Sequence, residues 1–366
     1  MRRTAALILG GGPAGSAAAI LLARGGVVPT VLERTREPAD ALCGGFLSWR
    51  SLAALRGLGI EADDLNPQRI DRLRLFNGKR VVESALPAPA LAVSRRRLDS
   101  VLLDQAREMG ASVERGVTVR RLESDQAHLA DGGKIAGDAV VLATGKHELR
   151  GAQRQLPQNP DPALGLRVRL GPAPGLDRLV GTCVELHLVA GGYAGVARQE
   201  DGSVNLCLAI RRSRLHAAGS PGALLSRLGE EAPAFGERLA WMTADPTIDA
   251  VANVPYGWRT AVTEPGVFRL GDQAGVIPSL AGEGMGIAIA SGTAAAQAIL
   301  HGTGAQTFQR RFAATLARPM AVAGAIRRLA EVPLGAAALM HGAAIPGVAN
   351  AVARLTRIRQ CSVDER

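Results

Sequence analysis

Residues 5–34, AALILGGGPAGSAAAILLARGGVVPTVLER, constrain the fold more than any other stretch. They read as a short apolar run, a glycine turn, an Ala- and Leu-rich helical run and a second apolar run ending in Glu33. That order predicts a βαβ unit, in which a crossover helix forces the two strands to be parallel. Gly10, Gly12 and Gly15 fall at the positions of G-x-G-x-x-G. The first allows a tight turn, the second lets backbone approach a pyrophosphate, and the third lets the helix pack on the strand. Pro13 and Ala14 open the helix, whose positive end and free N–H groups point at phosphate, and Gly25 and Gly26 stop it. Glu33 lies roughly twenty residues past the glycines, where a carboxylate accepts both ribose hydroxyls of an adenosine and clashes with a 2′-phosphate. FAD or NAD is therefore expected here, and NADP is not.

The rest of the composition limits what this unit can belong to. At 366 residues the chain has about two or three domain lengths. With 47% hydrophobic and 21% charged residues it has a core to bury, which excludes a disordered chain, a collagen and a coiled coil. Lys+Arg 43 against Asp+Glu 33 leaves +10. Only Lys79, Lys134 and Lys146 are lysines, the arginines are dispersed, and no nucleic-acid fold signature accompanies them, which argues against a nucleic-acid partner. A basic surface that attracts an anionic cofactor, substrate or lipid is the expectation. Cys43, Cys183, Cys207 and Cys361 stand far apart without a C-x-x-C pair, and His147, His187 and His341 are isolated, so no metal is expected. The short apolar run at 5–9 is no signal-peptide core, and the uncharged run 332–353 holds Pro333 and Pro346. A cytoplasmic protein is expected, its C-terminal part foremost a simple lid on the flavin domain, with peripheral contact to anionic lipid as the alternative.

A second motif separates FAD from NAD. Residues 267–270 read as a short strand, followed by Gly271-Asp272-Gln273-Ala274-Gly275 and then VIPSLAGEGMGIAIASG. An Asp at a strand end can hold a ribityl hydroxyl. The turn around Gly282 and Gly284 opens a helix, with Met285 in its first turn, whose N-terminus can face the pyrimidine side of an isoalloxazine ring.

On these motifs the chain, over most of its length, resembles the FAD-dependent oxidoreductases of the para-hydroxybenzoate hydroxylase and geranylgeranyl reductase superfamily, which includes the group A flavoprotein monooxygenases. The family's first fingerprint matches Gly10 to Gly15 with Glu33 and Arg34; its ribityl motif matches Gly271, Asp272, Pro278 and the Gly282-Glu283-Gly284 turn. A family element with an Arg before a helix that carries a Gln resembles Arg95 and Gln105, with Arg96 and Arg97 as alternatives to Arg95. The resemblance places those side chains near the diphosphate and ribityl chain, and Thr144 and Gly145 near the adenosine end. Many hydroxylases of the family carry Asp-Gly at that point, whereas this chain has Thr144-Gly145-Lys146-His147. NADH or NADPH as electron donor therefore lacks a clear site, and a separate reductase, a carrier or the substrate itself are alternatives.

The expected architecture is α/β. A Rossmann-like FAD-binding domain spans 1–160, with a strand insertion near 68–90. An inserted antiparallel substrate sheet over 161–254 is read from strand-length apolar pieces, with a hairpin at Glu200-Asp201-Gly202-Ser203. Residues 255–305 close the FAD domain, and 306–366 form a helical cap broken by Pro319, Pro333 and Pro346. In the resembled family such a sheet roofs the flavin. Pocket candidates are Cys43, Gly44 and Gly45 in a turn similar to that of geranylgeranyl-reductase-like members, with Tyr193, Asn205, Tyr256 and Trp258. No catalytic side chain is assigned, since the chemistry would reside in the flavin. The resemblance implies an FAD-dependent oxidoreductase acting on a small apolar or aromatic substrate. Hydroxylation through a flavin C4a-hydroperoxide leads narrowly over reduction of a C=C bond. A flavoprotein that modifies an acidic macromolecular partner is the reading from another class.

Overall fold

The computed structural model describes residues 2–358; Cys361 and the end of the expected cap, 359–366, lie outside the described residues. A parallel sheet is ordered Ser112–Arg115, Pro29–Glu33, Arg2–Leu9, Lys134–Leu142 and Val267–Arg269. Its central strand, Ala6 to Leu9, is fully buried because helices cover the face of Ala6 and Ile8, while Leu122, Ala127, Leu149 and Ala152 from a hairpin and a turn cover the face of Leu7 and Leu9. The helix Pro13–Arg24 starts on Pro13 and ends at Gly25, as the glycine pattern predicts. The hairpin Val119–Glu123 and Gln126–Leu129 pairs with the N-terminal half of Lys134–Leu142, leaving the other half to Val267–Arg269.

The helix Gly284–Leu300 lies against Pro13–Arg24 at very close range. A Cβ on Gly292 would sit 2.2 Å from the Ala14 carbonyl oxygen, so only glycine permits this approach. The contact joins two segments far apart in sequence and sets the two glycine motifs side by side.

The second sheet runs Ile248–Val254, Ala163–Leu170, Val204–Arg211, Gly192–Arg198, Cys183–Val189, Ile70–Asn77, Arg80–Ala92 and Phe46–Leu47. The strands expected near 68–90 thus extend the same sheet as those of 163–254. The sheet is antiparallel except where Cys183–Val189 and Ile70–Asn77 pair in parallel, the seam between the two chain segments that build it. The hairpin at 199–203 forms, with Gln199 N–H donating to Ser203 O at 2.8 Å.

The helices Ala305–Ala330, Pro333–Ala344 and Val348–Leu355 form the cap. Pro319 does not break it: the first helix runs through Pro319 without interruption. Phe312, Leu316, Met320 and Ala323 bury one face of that helix in the core of the first sheet, which offsets the missing N–H at the proline. Pro333 begins the next helix and Pro346 lies in the bend after it, as expected. Among the described residues no single helix is long and apolar enough to cross a membrane.

Candidate active site

A cavity of about 480 Å³ opens where the two sheets and the cap meet. At one end its wall is Gly12, Pro13 and Ala14 from the first glycine turn and Gly271 and Asp272 from the second. The two turns are tied together through the strand end at 143–147. Gln273 Nε2 donates to Gly145 O at 2.8 Å and to His147 O at 3.1 Å, and Gly271 N–H donates to Ser291 Oγ at 2.9 Å. Lys146 Nζ lies 3.4 Å from Asp272 Oδ2, and this carboxylate raises the lysine's pKa against the opposing effect of burial.

Of the three consecutive arginines only Arg95 reaches the cavity. Its guanidinium donates to both Asp99 oxygens at 2.9 and 2.7 Å and lies 3.3 Å from where a Cβ on Gly12 would stand. Arg97 turns to the Asp64 carbonyl and Arg96 is exposed. Glu33 ends its strand with one carboxylate oxygen accepting Gly11 N–H at 2.9 Å, the other accepting Thr35 N–H at 2.9 Å and Thr35 Oγ1–H at 2.8 Å. Burial pushes this carboxyl up, but the backbone N–H groups of Thr35 and Gly11 prevail and hold it below the usual range.

These residues fit an FAD. Gly145 and Gly284 line the cavity, and a Cβ on either would project into open space, as it would from Gly44 at the far end. The helix Pro13–Arg24 has no side-chain cap at its N-terminus, so its first N–H groups are available to phosphate beside the Arg95 cation. Gly282, Gly284 and Met285 line the wall where Gly284–Leu300 begins. Below them Glu283 is fully buried against Arg357, with Oε2 3.2 Å from Arg357 Nη1 and accepting from Ser48 Oγ at 3.3 Å. Burial pushes its carboxyl up to about 7.

At the other end Cys43, Gly44 and Gly45 line the cavity, as do Tyr193 and Tyr256. Tyr193 Oη donates to Ser279 Oγ at 2.7 Å, and Tyr256 Oη lies 2.6 Å from the same oxygen. Burial pushes Tyr256 up to about 12 and Tyr193 well above its ordinary value, so both remain neutral O–H groups. The Arg327 guanidinium stands 4.9 Å from the Tyr256 ring centroid. Beyond the hydroxyls the cavity continues between sheet and cap under an aliphatic vault. Leu73, Leu75, Val184 and Leu186 come from the sheet; Ile326, Leu339, Val348 and Val352 come from the cap.

Several expected residues are not brought to this wall. Gln105 lies about 15 Å along the helix from Arg95, beside Gly59, because ten residues of helix separate the two. Asn205 is buried beneath the Cys43 turn and donates from Nδ2 to Cys43 O at 2.9 Å, so it supports the turn and does not line the cavity. Trp258 packs outside, its indole N–H donating to Gln155 O and its ring under Arg154. Thr144 is occupied by a hydrogen bond to His147 O, and Arg34 is exposed. Gly10, Gly15 and Glu33 stand behind the wall and shape it: a Cβ on Gly15 would fall 2.0 Å from Gly10 O. Ser279 and Lys146 are site residues beyond those expected from the sequence; the local signal for each is its place, Ser279 directly after Pro278 of the second motif and Lys146, one of three lysines, next to the Thr-Gly strand end. The aliphatic vault had no local signal, since its residues are dispersed from 73 to 352.

Residues 3–146 match the FAD binding domain family. The menaquinone reductase of Mycobacterium tuberculosis (strain ATCC 25618 / H37Rv) is 28% identical over 314 residues, covering 80% of this chain and 75% of that protein. Digeranylgeranylglycerophospholipid reductase 1 of Methanopyrus kandleri is 28% identical over 317 residues, covering 80% of this chain and 79% of that protein. Among solved structures, a geranylgeranyl bacteriochlorophyll reductase-like protein from Thermoplasma acidophilum shares the fold with a TM-score of 0.76 at 18% identity, covering 97% of each chain. With its paired glycine motifs around one cavity, the chain carries an FAD-binding domain over residues 3–146 and is similar to FAD-dependent oxidoreductases, and FAD is its cofactor.

Proposed function

We propose that this oxidoreductase reduces carbon–carbon double bonds in a long apolar substrate of the isoprenoid class. The observation that carries the reading is the continuity of the cavity from the glycine-lined end, past the hydroxyl cluster, into the aliphatic vault of sheet and cap. A hydrocarbon chain offers no hydrogen bonds, so its recognition rests on burying apolar area at about 25 cal/mol per Å², which such a vault provides. The names of the two reductase relatives, for a menaquinone and a digeranylgeranylglycerophospholipid, agree with this.

When bound, FAD supplies the hydride chemistry. Glu33 would hold the adenosine ribose, Arg95 and the N-terminus of Pro13–Arg24 the diphosphate, and Asp272 with Lys146 the ribityl chain. The N-terminus of Gly284–Leu300 would stabilise negative charge on the pyrimidine edge of the ring. Saturating a double bond also needs a proton at the carbon that does not receive hydride. Tyr193, Tyr256 and Ser279 hold hydroxyl protons in the cavity wall, and their neutrality at physiological pH keeps them in the donor form. The electron donor would be a partner reductase or NADH or NADPH.

Hydroxylation of an apolar substrate, toward which the sequence leans, uses the same water-excluding cavity and is the second reading. Holoprotein reduced with dithionite without oxygen, then given a geranylgeranyl lipid or a prenylated quinone, should yield product heavier by two hydrogens per double bond. Gain of one oxygen only after air is admitted would favour hydroxylation. Neither product from a substrate that binds would sink both readings.

A further inference from the structure

The segment 332–353 contains no Asp, Glu, Lys or Arg. It forms two helices, Pro333–Ala344 and Val348–Leu355, bent by 110° at 345–347, so together they do not make a straight span. Their inner face lines the cavity through Leu339, Ala343, Val348 and Val352. Their outer face is also apolar: Leu334 is 88% exposed, Ile345 57% and Val332 50%. A layer one helix thick, apolar on both sides, thus separates the vault from the exterior. Single exposed apolar residues are ordinary, but three large ones on one uncharged segment over an apolar cavity form a patch.

Cations frame this patch. Arg328 and Arg354 flank the segment in sequence and are exposed. The tip of the neighbouring hairpin adds exposed Lys79 and Arg80 with Val81, itself 54% exposed. That hairpin is bound to the cap, since Ser84 Oγ donates to Ala343 O and Leu75 and Val82 pack with Leu339 and Ala343. None of the four cations is in an ion pair among the described residues. Apolar side chains ringed by free cations complement one surface chemistry, the headgroup boundary of a bilayer with anionic lipid.

We infer that the bent pair Pro333–Ala344 and Val348–Leu355 docks on an anionic bilayer through Val332, Leu334 and Ile345, and that a lipid substrate enters the vault through this layer without crossing water. The inference rests on the apolar-substrate reading of the same cavity and adds the source of that substrate. Each exposed side chain would bury apolar area and each cation would add attraction that salt screens.

The test is sedimentation of the holoprotein with vesicles of phosphatidylcholine, alone or with phosphatidylglycerol at roughly one lipid in three, followed by flavin absorbance. Wild type should pellet with the anionic vesicles, and about tenfold less with neutral ones or at about 1 M salt. Leu334→Glu with Ile345→Glu should reduce anionic binding about tenfold or more while flavin content and melting temperature stay unchanged; Lys79→Glu with Arg328→Glu should act through charge alone. Wild type that stays in the supernatant with every vesicle would overturn the inference. So would undiminished binding by the apolar variant, or a variant that only separates a dimer in sedimentation velocity, which would assign the patch to a second copy. Reduction of a short detergent-dispersed isoprenoid should persist in both variants. If wild type binds vesicles but reduces no such substrate, docking stands and the reductase reading fails; if it reduces the substrate but binds no vesicle, the reverse holds.

Discussion

Replacing Gly292 with alanine tests how the two glycine motifs are held together. A Cβ there would stand 2.2 Å from Ala14 O, 2.9 Å from Ala17 Cβ and 3.0 Å from Ala18 N. Non-bonded heavy atoms prefer about 3.5–4.0 Å, so the helices Pro13–Arg24 and Gly284–Leu300 would have to separate by about 1 Å. All three clashing atoms belong to a neighbouring helix's backbone or to an alanine Cβ, and none can rotate away. Overpacking of this kind costs about 1–3 kcal/mol, here at the upper end, while Gly→Ala in a helix interior returns about 1 kcal/mol. The expected net is a loss of about 2 kcal/mol. Because Ala14 is also 3.5 Å from where a Cβ on Gly271 would stand, the shift should part the two turns and weaken FAD binding about tenfold. Gly324→Ala is the control. It lies inside Ala305–Ala330, its Cβ would meet only the flexible Arg328 Nη1 at 3.7 Å, and it should stabilise by about 1 kcal/mol. Thermal melting and flavin fluorescence of both variants decide the matter. A Gly292→Ala protein as stable as Gly324→Ala, with wild-type FAD affinity, would refute the close-packing argument.

Two further outcomes follow from the site. Glu33→Ala and Asp272→Ala should each weaken FAD retention by about 1–3 kcal/mol in a fluorescence titration, for loss of a charged hydrogen-bond partner; wild-type retention in both would remove the basis for these assignments. Glu283 has a folded pKa raised to about 7 against an ordinary 4.5, so the folded protein holds the proton more tightly and this group's contribution is full below about 4.5 and lost as pH rises through about 7. At about 1.4 kcal/mol per unit that amounts to about 3 kcal/mol. Denaturant melts of the holoprotein at pH 5 and pH 8 should differ by about this much, and Glu283→Gln should flatten the difference; an unchanged slope in the variant would refute it.

The βαβ start could be read from the chain because its determinants are local. Gly10, Gly12, Gly15, Pro13 and the Gly25 stop act within one turn of chain, and Glu33 follows at the spacing of one crossover helix. The same holds for the Gly271-Asp272 turn and the hairpin at 199–203. Gln105 and Trp258 fail for the complementary reason. Ten residues of helix carry Gln105 about 15 Å from Arg95, but only the tertiary structure shows where the cavity ends relative to that helix, or that Trp258 finds Gln155 O outside it. Pro319, a local breaker, is overruled by the burial of Phe312, Leu316 and Met320 around it.

By itself the sequence determined an FAD-type βαβ start and two glycine turns suited to a dinucleotide, because close approach of backbone to phosphate is a local property that glycine permits. Only the tertiary structure decided what those turns face. It joined the strands of 70–92 to those of 163–254, met Tyr193 and Tyr256 at Ser279, and closed an aliphatic vault with a cap apolar on both sides. Those are contacts between segments far apart in the chain, set by which apolar surfaces can be buried together, and no local pattern encodes them.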